Sequence, residues 1–400
     1  MLAVGLYVHI PFCSRKCAYC DFYSRVPGPG QTRLVVDALL AELDSGRAGR
    51  CPSVRVQTIF VGGGTPTVLP TDDFGRLFRS LGRLARRDAA VEFTVEANPA
   101  SVDDAKAAVL RAAGVDRISL GVQSFHVAEL ACLDRLHSPE DIPRTLRRLR
   151  RAGFEHVNLD LIFGIPGQSL ASWTDTLRRA VDLEPDHLAC YGLTYEPGTP
   201  LEARRSLGHV QPCGEALEVE MYARAIDYLA EAGFEHYEIS NFARASGRCR
   251  HNLGYWLGEP YLGIGPAAAG YLDGQRTRNV ADMTEYMRRI LAGESAVVER
   301  EQLDALAHAG EAAMLELRLI DGLDRERFQR RTGFDPVRLF AEPLASHGVG
   351  GRVVVTGSHI RLTRAGLFVA DSVMADFIAA AEVSPLAPER PATGTELHGT

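Results

Sequence analysis

A chain of 400 residues with 46% apolar side chains can bury a substantial core and is long enough for one large α/β domain plus a smaller one. Its net charge of −7 speaks against a broad phosphate-binding surface, so nucleic acid is not an expected partner, and no run of about 18 apolar residues is present to span a membrane. Eight cysteines are too sparse for a disulfide scaffold, and the first motif lies so near the N-terminus that no signal peptide fits before it, which points to a reducing cytoplasm.

The first informative stretch is HIPFCSRKCAYCDFYS, with Cys13, Cys17 and Cys20. Three thiols spaced C-x-x-x-C-x-x-C can converge in one compact loop. Three thiolates on a four-iron cubane leave one iron without a protein ligand, open to a chelating α-amino acid. Zinc normally takes four ligands and no fourth Cys or His is close by; an odd count argues against a disulfide. Tyr7, His9, Pro11 and Phe12 lead in from a short strand, and Tyr19 puts an aromatic ring directly before the third cysteine. The loop resembles that of the radical S-adenosylmethionine (SAM) superfamily. The resemblance implies a [4Fe-4S] cluster chelated by the methionine end of SAM, with the aromatic ring beside the adenine.

From there the chain alternates β-branched runs with amphipathic stretches. Strands at VHIPF, QTIFVGGG, EFTVEANP, RISLGVQS, NLDLIFGIPG and HLACYGLTYE alternate with helices expected near 32–46, 72–87, 102–113, 127–136, 139–152, 169–183 and 214–232. Six strand–helix units argue for a parallel sheet wound into a partial (β/α)6 barrel. Gly62–Gly64, Glu96, Gln123, Asp160, Gly164 and Glu196 all fall toward the strand C-termini, the rim where such sheets bind ligands.

Beyond about residue 275 the periodicity changes. Helices near 282–292, 308–320 and 324–332, the hairpin GRVVVTGSHIRLT and a helix near 365–382 suggest a small C-terminal α+β winged-helix-like domain over 276–383. The tail 384–400 lacks apolar periodicity and reads as disordered. Cys51, beside Pro52 and Ser53, reads as part of a surface loop. The basic run RTLRRLRRAG reads as a solvated helix face, ahead of a docking patch for an acidic redox partner.

Among the motifs, GGGTP lets backbone approach a ligand closely and places Pro66 in a first helical turn, although by itself it describes any tight turn. Glu96 in VEANP has apolar neighbours that favour an inward-pointing acceptor. Asp160 lies between Leu159 and Leu161 and is costly to bury without a partner, for which Arg135 or a bound cation would serve. In HNLGYW, His251 offers an imidazole to an iron, and Tyr255 and Trp256 offer rings to cover a flat macrocycle; core aromatics and a satisfied histidine are the competing reading.

Taken together, YVHIPFCSRKCAYCDF, FVGGGTPT, EANP, GVQSF, DLIFGIPGQ and HNLGYW resemble the oxygen-independent coproporphyrinogen III oxidase group over residues 4–380, and within it the haem-chaperone branch. The resemblance implies that Cys13, Cys17 and Cys20 hold the cluster and that Tyr7, Gly63 and Glu96 contact its SAM. It matches Gly64, Thr65, Gln123, Arg135 and Asp160 to a second SAM position, and makes His251 a haem ligand. The oxidase pattern has a further cysteine where this chain has Phe22, and a long extension ahead of Tyr7; HNxxYW is a chaperone feature. Ala269 stands where relatives often place a histidine. The expectation is therefore a haem chaperone lacking oxidase activity, with haem-acceptor proteins (membrane-bound ones among them) and a low-potential electron donor as partners. The alternatives are oxidative decarboxylation of coproporphyrinogen III, or a structural remnant that binds neither cofactor.

Overall fold

The computed structural model describes residues 1–45, 54–85 and 91–386. Its first elements follow the expected alternation: β1 (Leu2–Ile10), α1 (Gln31–Asp44), β2 (Val54–Gly63), α2 (Thr71–Ala85), β3 (Glu92–Ala97), α3 (Asp104–Ala113), β4 (Arg117–Gln123), α4 (Val127–Cys132), α5 (Asp141–Arg151), β5 (His156–Phe163), α6 (Leu170–Asp182) and β6 (His187–Gly192). The strands pair in parallel from β1 through to β6. The crossovers carry helices because a parallel connection needs a dozen residues or more. Local signals fix the ends. Asp103 caps α3 by accepting from the Lys106 N–H at 2.7 Å, and Gly114 closes it at φ 90°. Ser169 and Ser172 form a capping box on α6.

The chain continues through α7 (Pro200–Ser206), α8 (Glu215–Glu231), β7 (Glu235–Glu238), β8 (Asn241–Ala243), α9 (Arg250–Trp256), β9 (Tyr261–Ile264), β10 (Ala269–Leu272), β11 (Gln275–Asn279), α10 (Met283–Leu291) and β12 (Val297–Gln302). These strands extend the sheet at both edges, giving the order β12-β11-β10-β9-β1-β2-β3-β4-β5-β6-β8-β7. β9 joins β1 in parallel, whereas β8 joins β6 antiparallel.

The basic run forms α5, which buries Ile142, Leu146 and Leu149. Several of its arginines serve their own chain: Arg150 donates to the carbonyls of Phe154 (3.0 Å) and Glu184 (2.9 Å), and Arg148 to that of Val102 (2.8 Å) and to Asp104.

The described residues divide into two compact units. The first comprises 1–236, 240–251 and 259–301, so β11, α10 and most of β12 belong with the barrel sheet. The second comprises 237–239, 252–258 and the residues from Gln302 onward. It adds α11 (Ala305–Glu316), β13 (Leu323–Asp324), α12 (Arg325–Thr332), α13 (Pro336–Leu339), α14 (Ala341–Val349), β14 (Val353–Val355), β15 (His359–Leu362), α15 (Arg364–Leu367) and α16 (Ala370–Glu382). Phe328, Phe340 and Phe377 pack in its core, the first pair edge-on and the second tilted. The hairpin β14–β15 is joined by β13 into a three-stranded sheet. α11 starts and ends earlier than the expected 308–320, because Asp304 accepts from the N–H groups of Leu306 and Ala307 and sets the start. Cys51 and the tail from residue 387 lie outside the described residues.

Candidate functional site

The site is built where β1 ends. The chain leaves Ile10 and folds into a loop closed by a ladder: Cys13 N–H donates to Arg25 O (3.1 Å) and Arg25 N–H to Pro11 O (3.0 Å). The glycine run after β2 is laced to the same loop, Gly64 N–H to Ile10 O (2.8 Å) and Thr65 N–H to Phe12 O (2.7 Å). The contacts leave no room for side chains. A Cβ on Gly62 would lie 2.5 Å from Glu96 Oε2, on Gly63 (φ +95°) 2.3 Å from His9 Nδ1, and on Gly64 2.4 Å from Phe12 O.

Beneath the loop lies a cavity of about 590 Å³, lined by Cys13, Cys17, Cys20 and Tyr19, and by Gly63, Gly64, Thr65, Glu96, Gln123, Arg135 and Asp160 from the strand ends. The structure thus brings together these eleven residues singled out from the sequence, with the first aromatic, Tyr7, close behind. Gly164 is not among the lining residues; Glu196, four residues beyond β6, is.

Each polar group in the cavity has a defined environment. Glu96 accepts from Gly63 N–H at 3.1 Å, yet its burial, and then the neighbouring Asp160, push its carboxyl up to about 8. Asp160 is also held above the ordinary range by burial. Its direct partners are Ser119 Oγ (3.0 Å) and Asn158 Nδ2 (2.8 Å), with Arg135 acting at longer range. Tyr7 OH bonds to His9 Nδ1 (3.0 Å), and His9 Nε2 to the Tyr23 carbonyl (2.8 Å), which fixes the tautomer: Nε2 donates and Nδ1 accepts. Burial raises the Tyr7 and Tyr19 hydroxyls and pushes the Cys20 thiol up to about 11, a proton that a metal would displace on binding. Gln123 ends β4 at φ 65°.

Arg135 is central. Nη1 lies 3.3 Å from Cys17 Sγ, and Nη2 donates to Asn98 Oδ1 (2.6 Å) and to Gly121 O (2.5 Å). Asn98 in turn donates to Thr65 Oγ1 (2.8 Å), which lies 3.7 Å from Cys13 Sγ. Asn98, Ser119, Asn158 and His9 were not assigned roles from sequence. Asn98 stands two residues after Glu96, and the strand alternation there would have placed both on one face.

The residues fit an iron–sulfur cluster. Three thiols face one cavity, a guanidinium donates to one of them, and a glycine cradle lies beside them. Among the described residues no group of three or more His, Cys, Asp or Glu is arranged around a single ion.

His251 lies elsewhere. It is 4% exposed at the start of α9, its Nδ1 2.8 Å from Thr58 Oγ1 and its ring stacked on Phe60 at 5.2 Å. A Cβ on Gly5 would lie 3.2 Å from its Cε1. Burial lowers it to about 3, so the imidazole is neutral. Glu92, which the sequence reading also missed, accepts from the Arg250 (2.8 Å) and His251 (2.9 Å) N–H groups and anchors this helix start. The ring's Nδ1 is committed to Thr58, so an iron would be held through Nε2. Tyr255 and Trp256 belong to the second unit, where the Arg318 guanidinium sits 4.3 Å over the Trp256 ring.

Residues 7–180 match the model of the radical SAM superfamily and residues 303–369 that of the HemN C-terminal domain. The cluster loop, the glycine cradle and the parallel sheet therefore define a radical SAM protein with a HemN-type C-terminal domain. In fold the chain is similar to coproporphyrinogen III oxidase (HemN) from Escherichia coli, a radical SAM enzyme, with a TM-score of 0.80 over 94% of this chain and 90% of that one at 24% identity. In sequence it is similar to the heme chaperone HemW of Bacillus subtilis, 33% identical over 93% of this chain and 98% of the relative. The HemW of Mycobacterium tuberculosis is 36% identical over 92% and 93%, and that of Escherichia coli 36% over 82% and 86%. The chain belongs to the HemW family. No described helix is long and apolar enough to cross a membrane.

Proposed function

We propose that the protein binds haem and hands it to acceptor proteins, from a radical SAM scaffold carrying a [4Fe-4S] cluster and SAM. The observation that carries this reading is the near full-length relation to heme chaperones. Phe22 supports it: the side chain stands 64% exposed at the cavity mouth, where the oxidase pattern places a further thiol. Acceptor proteins, membrane-bound ones included, and a low-potential electron donor are its proposed partners, and the cytoplasm its proposed place.

Cluster and SAM, when bound, supply one-electron chemistry. The chain's own part is binding and orientation. Cys13, Cys17 and Cys20 are the proposed iron ligands, and the Gly63–Thr65 backbone with Glu96 the proposed seat for an amino-acid end. At neutral pH the raised Glu96 carboxyl carries a proton, which an incoming ammonium group would displace. Tyr7 would act through His9, to which its hydroxyl is committed. Gln123, Arg135 and Asp160 are the proposed binders of a second small molecule.

Haemin titration tests the reading. A Soret shift on wild-type protein, with no conversion of coproporphyrinogen III by the reduced, SAM-loaded protein, is expected; steady turnover would favour the oxidase. His251 is the proposed iron ligand of HNLGYW, its Nδ1 bond to Thr58 compatible with ligation through Nε2, and Tyr255 and Trp256 are the proposed covering rings. An unaltered affinity and spectrum in His251→Ala would place the ligand elsewhere.

A further inference from the structure

We propose that Arg135 tunes the reduction potential of the cluster by donating a hydrogen bond from Nη1 to the Cys17 sulfur, so that it serves the metal centre as well as any ligand in the cavity. The inference rests on the cluster reading above. A positive charge and an N–H donor at a ligand sulfur stabilise the form with more negative charge, which is the reduced one, and so raise the potential. Because Arg135 Nε is buried, the charge is less screened than on the surface.

The geometry favours this task over a loose substrate clamp. Both hydrogens of Nη2 are committed, to Asn98 and to Gly121 O, and Nε has no partner among the described residues. Gly121 makes the room: a Cβ there would stand 3.1 Å from Nη2. Arg135 N–H donates to Leu130 O at 2.9 Å. The preceding Asp134 adopts φ 56°, a left-handed conformation that favours glycine. Its carboxylate is held from two sides, by Arg15 of the cysteine loop (3.2 Å) and Arg204 of α7 (2.8 Å). Ala18 N–H donates to Leu133 O, and Leu201 N–H to Ala18 O. The segment 133–135 is thereby bolted to the loop on both sides of Cys17, and the donor cannot drift from its sulfur. The step it would bias is the uptake of one electron by the oxidised cluster from a low-potential donor, with no bond made and no proton moved.

The test uses the full chain, reconstituted anaerobically without SAM, with iron and sulfide quantified and the midpoint potential read by spectroelectrochemical titration. Arg135→Met, which removes charge and donors, should shift the midpoint to more negative potential. Arg135→Lys, which keeps charge but loses the planar fork, should shift it less. Gly121→Ala, which crowds Nη2 and leaves the arginine in place, should shift it in the same direction. An unchanged midpoint in iron-replete Arg135→Met would overturn the proposal, as would an unchanged midpoint in the other two should that variant lose its iron. Loss of iron from all three variants would make Arg135 a residue that holds the loop together, and overturn it too. Absence of iron from the wild-type protein would instead refute the cluster reading.

Discussion

The cysteine cavity and the surroundings of His251 are neighbours along the sheet, where Phe60 stacks with both Tyr7 (6.3 Å) and His251 (5.2 Å), yet they differ in kind. In the cavity the polar groups are held in costly states: Glu96 is pushed up to about 8, Arg135 Nε lacks a partner and Gln123 sits at φ 65°. Around His251 the contacts are complementary, with a hydroxyl on Nδ1, an aromatic ring on its face and a carboxylate on its backbone N–H. Buried polar groups left in poor environments are candidates for a ligand site, whereas partnered ones are the rule in packed interiors. Two motifs of similar weight in the sequence thus lie in different settings.

The sharpest way to test the contrast is to empty the first region. Wild-type protein reconstituted anaerobically should hold about four irons per chain, as cubane ligation requires, and alanine at Cys13, Cys17 or Cys20 should abolish the visible absorbance. His251→Ala should leave iron content intact but lower stability by about 2–4 kcal/mol, for the lost ring volume and the orphaned Thr58 hydroxyl. Denaturant unfolding measures this, and a negligible loss would break the comparison.

A subtler difference appears with pH. Because the folded-state pKa of Glu96 is raised from 4.5 to about 8, the folded apoprotein binds the extra proton. Its contribution to stability is full below about 4.5 and is lost as pH rises toward 8. Glu96→Gln should flatten that slope in a series of unfolding curves. The smallest expected effect is Asp304→Ala, which should cost the second unit about 1 kcal/mol by removing the α11 cap.

Much of the fold was legible because each parallel crossover must carry a helix, so the six units announced themselves by alternation alone. Helix ends were less legible. α4 stops at Cys132 because Asp134 turns left-handed and Arg135 is drawn to Cys17, contacts that arise only on folding. Cys13, Cys17 and Cys20 could be read because their partners are a few residues apart. The setting of His251 could not, since Gly5, Thr58, Phe60 and Glu92 come from strands more than 150 residues away in the chain. Asn98 and Ser119 were hidden in plain motifs, where only the cavity shows which polar side chain faces inward.

The threading of α9 has a practical consequence for dissecting the molecule. The second unit is assembled from three separate pieces of chain, and Trp256, under Arg318, lies on one that precedes β9. A chain cut after Glu301 would therefore keep Tyr255 and Trp256 but lose the guanidinium above the indole. Such a fragment would present a bare aromatic surface and self-associate. Limited proteolysis in the 292–304 region should nick the backbone without liberating a free C-terminal piece, because that piece would leave two of its own strands of sequence behind.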